Sequence, residues 1–273
     1  DKTIRRSIEE KMSLEDFTYK YTSSFFKDVE TLQIIPAHHY PRATDFIPQM
    51  IETIQQLEKK GFTYATEDGS VFFKIAQFPD YGKLANLNPD QLKSGDRVED
   101  DEYGKEEGRD FALWKGYKPQ DGEVKWDSPW GEGRPGWHIE CSVMSTYYLS
   151  NHFDIHCGGV DNIFPHHENE IAQSCAASGE AFVNYWLHNE HLLVEGQKMS
   201  KSMGNFYTLR DLLEKGCSPE ALRYTLISTH YRSKLNFTFE KVKASQKCIN
   251  KLRELKRRLK KIENDGEEKS LNS

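Results

Sequence analysis

The sequence lacks long apolar runs and a cysteine framework. No apolar run approaches the roughly 20 residues that a helix needs to cross a bilayer, and residues 1–6 lack the apolar core of a secretory signal. The five cysteines are an odd number at irregular spacings, which does not indicate a disulfide scaffold. These absences predict a protein of a reducing compartment, which we expect to be the cytoplasm, without a membrane partner.

The chain also lacks a strong excess of either charge. Its net charge of −6 over 273 residues is modest, so any contact with nucleic acid must use a local basic surface. A content of 37% hydrophobic and 12% aromatic residues is enough for a sizeable core. We expect a globular monomer.

Periodicity predicts a helix and a hairpin in the first part of the chain. Apolar residues recur at three- and four-residue steps from Phe46 to Leu57, which predicts a helix that Gly61 ends. The β-rich runs 62–65 and 71–75 flank a turn that contains glycine, which is typical of a hairpin.

The stretch 79–136 is rich in Gly, Pro, Asp and Lys, and it predicts an insertion with long loops. Its three tryptophans, Trp114, Trp126 and Trp130, are expected to anchor those loops by burial.

The second half of the chain predicts an α/β layer with a parallel sheet. Helix-like and strand-like runs alternate there, which is typical of such layers. They fall at 138–149, 153–157, 166–177 and 190–194, followed by two helices after residue 207. Ser218-Pro219-Glu220 is a favourable start for the last of these helices, with a capping hydroxyl and proline at the first position. After Phe237 comes a long helix with one apolar stripe and many Lys and Arg residues at 241–261. Clustered basic residues favour contact with nucleic-acid phosphates, although a solvated helix face explains them equally well.

Three side chains have the chemistry of a metal site. His166 and Glu170 are four residues apart, so a helix places the imidazole and the carboxylate on the same face. Cys141 adds a thiol from an upstream helix, and this ligand set suits zinc. Spacing alone leaves two alternatives open, an ion pair on a helix and a cysteine that serves as a small buried hydrophobic residue.

The segments 136–142, 153–161 and 165–170 resemble, in order and spacing, the zinc-binding core of cysteinyl-tRNA synthetases. In that family two cysteines, a histidine and a glutamate hold one zinc ion. The resemblance implies that Cys141, His166 and Glu170 are three of these ligands, and that the other cysteine belongs near the family's N-terminal signature, which this chain does not contain.

The segment Lys198-Met-Ser-Lys-Ser202, followed by Met-Gly-Asn205, is identical to the second signature of class I aminoacyl-tRNA synthetases. Adenylate formation from ATP with Mg²⁺ expels pyrophosphate, and flexible lysines beside serine hydroxyls can close on its growing negative charge. We expect Lys201 to make the main contact and Lys198 to support the loop, with Ser200 and Ser202 beside the nucleotide. The alternative is a solvated Lys/Ser turn.

Three further residues have roles implied by the resemblance. Trp137 would form part of the amino-acid pocket, and His156 and Asp161 would line the adenylate site. The structural alternatives are a core tryptophan and a buried histidine with satisfied hydrogen bonds. His138 and His167 are expected to pack around the ligands or support them.

The resemblance implies a Rossmann-like class I synthetase catalytic domain with a parallel sheet, a connective insertion and the start of a helical bundle. It covers essentially all of this chain but only the middle of the family's length, without the first signature and the anticodon-binding region. The expected parts are a helical second part of the catalytic domain (1–60), the connective insertion (61–136), the second Rossmann-like half with the zinc site and activation loop (137–205), stem-contact-like helices (206–235) and the start of the C-terminal helical domain (236–273).

The function implied is that of a cysteine–tRNA ligase, an enzyme of protein biosynthesis that activates L-cysteine with ATP and transfers it to tRNA(Cys). We expect the chain alone to be inactive, because one zinc ligand and half of the ATP site would be missing. Two alternatives are a ligase that joins cysteine to an amino sugar without tRNA, and a non-catalytic zinc- or tRNA-binding fragment. The basic helix favours the synthetase. A zinc hydrolase is disfavoured, because the paired metal histidines of the protease helix are absent.

Overall fold

The computed structural model describes the backbone of residues 2–87 and 110–271, and the side chains of residues 3–87 and 110–262. The middle of the predicted connective insertion, residues 88–109, lies outside the described residues. The chain divides into two compact units, of which the first comprises Asp1–Tyr19 and Ala37–His188 and the second Lys20–Pro36 and Asn189–Ser273.

The described residues form both helices and strands. The helices are α1 (Lys2–Glu9), α2 (Leu14–Thr31), α3 (Ile47–Lys59), α4 (Trp137–Leu149), α5 (Glu168–Ser178), α6 (Leu209–Glu214), α7 (Pro219–Ile227) and α8 (Phe239–Leu271). The strands are β1 (Thr63–Ala65), β2 (Val71–Phe73), β3 (Phe111–Gly116), β4 (Gly133–Pro135), β5 (Phe153–Gly159), β6 (Val183–Asn189), β7 (Leu192–Val194), β8 (Gln197–Lys198) and β9 (Leu235–Phe237).

The first unit contains a four-stranded antiparallel sheet in the order β1-β2-β3-β4. The predicted hairpin is confirmed, with Tyr64 opposite Phe72 across β1 and β2. The prediction of long loops after residue 79 was wrong for β3 and β4, which extend the hairpin. The reason is the apolar run at the start of β3, which is buried on both faces and includes the fully buried Trp114. Gly116 allows close approach, because a Cβ atom there would lie 2.0 Å from the backbone oxygen of Asp68.

Helices α3, α4 and α5 pack against this sheet and build the core of the first unit. Gly61, with φ of +81°, ends α3 as predicted. The ammonium group of Lys60 donates to the carbonyl oxygens of Ala176 (3.2 Å) and Ala177 (2.5 Å) near the C-terminal end of α5. The most deeply buried apolar side chains of this core are Met50, Ile54, Leu57, Val71, Phe73, Leu113, Trp114, Ile139 and Ala172.

Helix α5 begins two residues later than predicted. Phe164 is extended (φ −136°, ψ 131°), as is usual for a residue that precedes proline, and a wide turn Ile163–His167 leads into the helix. His166 therefore lies in this turn, just before the first helical residue.

The first turn of α5 binds the segment that follows the hairpin. The carboxylate of Glu168 accepts hydrogen bonds from the backbone N–H groups of Gly82 (2.9 Å) and Ala85 (2.7 Å). The hydroxyl of Tyr81 donates to Oδ1 of Asn169 at 2.5 Å. All these side chains are buried, so the contacts tie residues 81–85 to α5.

The second unit contains a three-stranded sheet in the order β8-β7-β9, in which β7 runs parallel to β9 and antiparallel to β8. Helix α7 begins as predicted, with Ser218 as its N-cap and proline in the first turn. The apolar residues Val194, Ala221, Leu222, Phe237 and Val242 form its core.

The long basic helix is confirmed as α8. Its predicted apolar stripe is buried at Val242, whereas Leu252, Leu255 and Leu259 are more than half exposed. Among the residues described, none of the helices combines the length and the apolar composition that crossing a bilayer requires.

Candidate metal centre and activation loop

The first unit brings the three predicted metal ligands together. Cys141 lies in the second turn of α4, His166 in the turn before α5, and Glu170 in the first turn of α5. One donor atom from each side chain lies within 4.8 Å of the others. His166 and Glu170 are buried and Cys141 is half-buried, so the three donors converge beneath the surface.

The carboxylate of Glu170 is the centre of this cluster. Its side chain is fully buried, with Nε2 of His156 3.0 Å from Oε2 and Nε2 of His166 3.1 Å from Oε1. The contact between Nε2 of His166 and Oε1 of Glu170 is within ion-pair distance but lacks the geometry of a hydrogen bond. Oε1 of Glu170 therefore has no hydrogen-bond partner among the described residues. A buried carboxylate oxygen without such a partner, beside a thiol and an imidazole, fits a bound cation.

The electrostatics of the cluster point the same way. Burial raises the pKa of the Cys141 thiol to about 12, and the charges of Glu170 and Glu140 add to this effect. Burial also opposes ionisation of Glu170, but the hydrogen bond from His156 and the close approach of the His156 and His166 imidazoles outweigh it and leave the pKa of Glu170 below its usual range. The site therefore favours an anionic carboxylate, while only an added positive charge would make Cys141 a thiolate.

Histidines surround the three candidate ligands. Nδ1 of His138 lies 2.8 Å from Nδ1 of His166, a hydrogen-bond distance. His156, His167 and Glu170 form a second set of donor atoms within 4.8 Å among the described residues, and it shares Glu170 with the first. Burial lowers the pKa of His167 to about 4, against the opposing charge of Glu170, so this imidazole is neutral at neutral pH.

Two residues of β6 join this histidine cluster and were missed from the sequence. Nε2 of His188 lies 2.8 Å from Nδ1 of His167, and the ring of Trp186 stacks on His156 with centroids 4.7 Å apart. Trp186 and His188 are two positions apart on one strand, so their side chains share a face. The two-residue spacing of Trp186 and His188 was the pattern in the sequence that could have placed their side chains together.

The structure places two other predicted substrate-site residues, Trp137 and His156, at the same cluster. Trp137 is 59% exposed and its ring lies 4.3 Å from that of His166, which excludes the alternative of a plain core tryptophan. His156 hydrogen bonds to Glu170 and so belongs to the candidate metal centre. The side chain of Asp161 is exposed and folds back on Gly159. A Cβ atom added at Gly159 would lie 2.3 Å from Oδ1 of Asp161.

The predicted activation loop, residues 198–205, lies in the second unit, where it begins in β8 and leads towards α6. The side chain of Asn205 closes it, because Oδ1 accepts from the N–H of Ser200 (2.8 Å) and Nδ2 donates to the carbonyl of Lys198 (3.1 Å). The hydroxyls of Ser200 and Ser202 lie 2.7 Å apart. Asn205 had no predicted role, because a side chain that hydrogen bonds to the backbone of its own loop leaves no periodic pattern in the sequence.

The two lysines of the loop are exposed. Nζ of Lys201 lies 5.2 Å from the centre of the Phe206 ring, a cation–π distance. Lys198 is paired through its backbone with Leu193 of β7, so its position is set by the sheet. The loop thus holds Lys198 at the sheet and presents Lys201 from its tip.

Comparison with known proteins gives the family. A family model described as tRNA synthetases class I (C) catalytic domain matches residues 1–247. The chain is similar to the protein named cysteine–tRNA ligase of Brachyspira hyodysenteriae, with 61% identity over 97% of this chain and 56% of the relative. The protein of the same name from Chlamydia muridarum is 54% identical over 95% of this chain and 55% of the relative. The chain thus spans about half the length of these curated relatives.

A solved structure agrees with the predicted fold. The Mycobacterium tuberculosis methionyl-tRNA synthetase in complex with methionyl-adenylate has a TM-score of 0.64 at 14% identity, covering 89% of this chain and 57% of that one. Such low identity shows the fold alone, and it confirms the predicted Rossmann-like class I architecture. Because the family model covers nine-tenths of the sequence, the chain belongs to the family of class I (C) tRNA synthetase catalytic domains.

Proposed function

We propose that this chain is the part of a cysteine–tRNA ligase that selects cysteine and carries the activation loop. The complete protein would activate L-cysteine with ATP and transfer it to tRNA(Cys). The observation that carries the proposal is the convergence of Cys141, His166 and Glu170 in a chain whose curated relatives, at 61% and 54% identity, are named cysteine–tRNA ligases.

We propose that Cys141, His166 and Glu170 hold one zinc ion. The sulfur, nitrogen and oxygen donor set and the hydrogen-bond vacancy at Oε1 of Glu170 support this assignment over the set with His156 and His167, which lacks sulfur. When bound, zinc supplies a soft Lewis acid that prefers a thiolate to a hydroxyl, which separates cysteine from serine. Glu170 then holds His156 and His166 in place, and the ring of Trp137 packs 4.3 Å from that of His166.

Lys201 and Lys198 act on the nucleotide. As pyrophosphate leaves ATP, negative charge grows on the leaving oxygens, and an exposed ammonium group on a hinged loop can neutralise it. Among the described residues none forms an ion pair with Lys201, and the contact of Lys201 with Phe206 is weak enough to exchange for a phosphate. Ser200 and Ser202 offer hydroxyls on the same loop, and Mg²⁺ would accompany ATP.

The remaining assignments concern the substrates and the setting of the protein. Trp137 would line the amino-acid pocket, and His156 and Asp161 the adenylate site. The basic face of α8 would contact tRNA phosphates, since it carries clustered Lys and Arg side chains exposed beside the apolar stripe. A cytoplasmic monomer is the setting that we propose.

The test uses a polypeptide extended to the length of the curated relatives. We expect cysteine-dependent exchange between ATP and pyrophosphate, no exchange with serine, and one zinc ion per chain by elemental analysis. Transfer of labelled cysteine to tRNA(Cys), and not to an amino sugar, separates the synthetase from the tRNA-independent ligase.

Matched cysteine variants identify the ligand. Cys141→Ser should lose both zinc and exchange, because a serine hydroxyl is a poor zinc ligand at neutral pH. Cys157→Ser changes an exposed cysteine outside both candidate donor sets and should retain zinc and exchange. Exchange and zinc content that survive in Cys141→Ser would overturn the metal assignment, and an extended protein without exchange would overturn the synthetase.

A further inference from the structure

A half-open apolar cavity of about 160 Å³ lies in the second unit beside the activation loop. Its floor is made by Val194, Leu222 and Phe237, which are at most 5% exposed. Leu226, which is 44% exposed, stands at its mouth. The complete lining consists of Leu32, Leu192, Val194, Met199, Tyr207, Leu209, Leu212, Leu222, Leu226 and Phe237.

The lining determines the chemistry of an occupant. None of the ten side chains carries a charge, and the hydroxyl of Tyr207 is the one polar side-chain group among them. A phosphate, an amino acid or a sugar would lose its hydration here without gaining partners, so the wall excludes these ligands. An apolar cavity of about 150 Å³ in a protein core stays dry and binds benzene or xenon, so this volume suits one small ring.

The cavity is in contact with the activation loop through Met199. This residue separates Lys198 from Ser200, and its side chain both lines the cavity and packs on the core formed by Val194, Leu222 and their neighbours. A methionine side chain is unbranched and adapts to the space beside it. Movement of the loop therefore displaces the Met199 side chain from the cavity wall. A molecule packed against Met199 would oppose that movement.

We propose that this cavity is a binding site for one small, uncharged, apolar molecule of about the size of toluene, which packs on Met199 and restrains the activation loop. The binding itself depends only on the described geometry. Its effect on catalysis rests on the function proposed above.

Binding is measured on the chain as printed, with methionine labelled at its ε-carbon and toluene as the probe. The chain has five methionines, which serve as reporters of two kinds. We expect a saturable shift of the Met199 methyl signal. Met12, Met50 and Met144 lie in the first unit and should keep their signals. Shifts that do not saturate, or that are equally large at Met50 and Met144, would show only nonspecific partitioning and would overturn the proposal.

Two tryptophan variants on α7 provide the matched test. Leu226→Trp places a large ring at the mouth of the cavity, where the exposed position tolerates added volume, and it should weaken toluene binding about tenfold or more. Ile227→Trp alters the next residue, which is 70% exposed and does not line the cavity, and should bind toluene like the unmodified chain. Equal binding by both variants would refute the location.

The catalytic arm uses the extended polypeptide. At saturating ATP and cysteine, toluene should slow pyrophosphate exchange in the unmodified and Ile227→Trp proteins and leave Leu226→Trp unaffected. Saturable binding without any change in exchange would refute the restraint of the loop. Binding in a protein that shows no exchange even without toluene would refute the synthetase while the site stands, and exchange without binding would refute the site alone.

Discussion

Replacement of Glu170 by glutamine removes the central charge of the candidate metal site and preserves its shape. An amide can accept from one histidine and donate to the other after a change of tautomer, so both contacts at 3.0 and 3.1 Å can persist. Hydrogen bonds to a charged group contribute roughly 1.5–3 kcal/mol each and are about twice as strong as neutral ones. We therefore expect metal-free Glu170→Gln to lose at most about 3 kcal/mol of folding free energy, because relief from burying a charge offsets part of the loss.

The response to zinc is the decisive quantity. Zinc at 100 times its dissociation constant stabilises the folded state by about 2.7 kcal/mol. If the amide weakens binding about 100-fold, the same concentration stabilises the variant by only about 0.4 kcal/mol. Denaturant unfolding of chelator-treated protein, with and without zinc, measures both values.

Glu168→Gln is the matched control. It is also a buried glutamate in the first turn of α5, but its carboxylate binds the backbone of Gly82 and Ala85 and lies outside both candidate donor sets. The control should lose stability without zinc and still gain about 2.7 kcal/mol when zinc is added. A full zinc response in Glu170→Gln, or a lost response in Glu168→Gln, would refute the assignment of Glu170 as a ligand.

Three further predictions test the loop, the sheet and the long helix. Asn205→Ala removes two hydrogen bonds that together contribute about 2 kcal/mol. The backbone amide of Ser200 should therefore exchange with deuterium about 30-fold faster. An unchanged exchange rate would show that other contacts hold the loop. Gly116→Ala places a Cβ atom 2.0 Å from the Asp68 oxygen, and should lower the unfolding free energy by about 1–3 kcal/mol in urea titrations, whereas a neutral effect would contradict the close approach. Hydrogen bonds from Arg257 and Arg258 lower the pKa of Glu254 from 4.5 to about 2. The contribution of Glu254 to the stability of α8 is therefore complete above pH 4.5 and is lost as the pH falls towards 2. Circular dichroism should show a steeper loss of helix in acid for the unmodified chain than for Glu254→Gln.

Local signals sufficed where the structure depends on neighbours in sequence. The helix ending at Gly61, the hairpin at residues 62–75 and the N-cap at Ser218 each follow from a few adjacent residues, and each was predicted. The pairing of β3 with that hairpin was not predicted, because the two strands are separated by an insertion and their contact has no local pattern.

The same distinction holds for the site. His166 and Glu170 are four residues apart, so their proximity could be predicted from helical geometry. The approach of His188 to His167 depends on how β6 packs beside the turn, and sequence spacing does not encode it. Cys141 entered the prediction through the chemistry of its thiol, and the resemblance then supported it, since its distance along the chain from Glu170 carries no geometric signal by itself.

The first turn of α5 has three consecutive polar residues, Glu168, Asn169 and Glu170, each at most 2% exposed. One binds the backbone of residues 82–85, the next binds Tyr81, and the third holds two histidines of the candidate metal centre. Each of the three therefore contacts a different part of the chain, although they are adjacent in sequence. Evolutionary change at any one of them would require a compensating change in a separate segment, so this tripeptide should vary as slowly as the other candidate metal ligands, even at the positions that would not touch a metal.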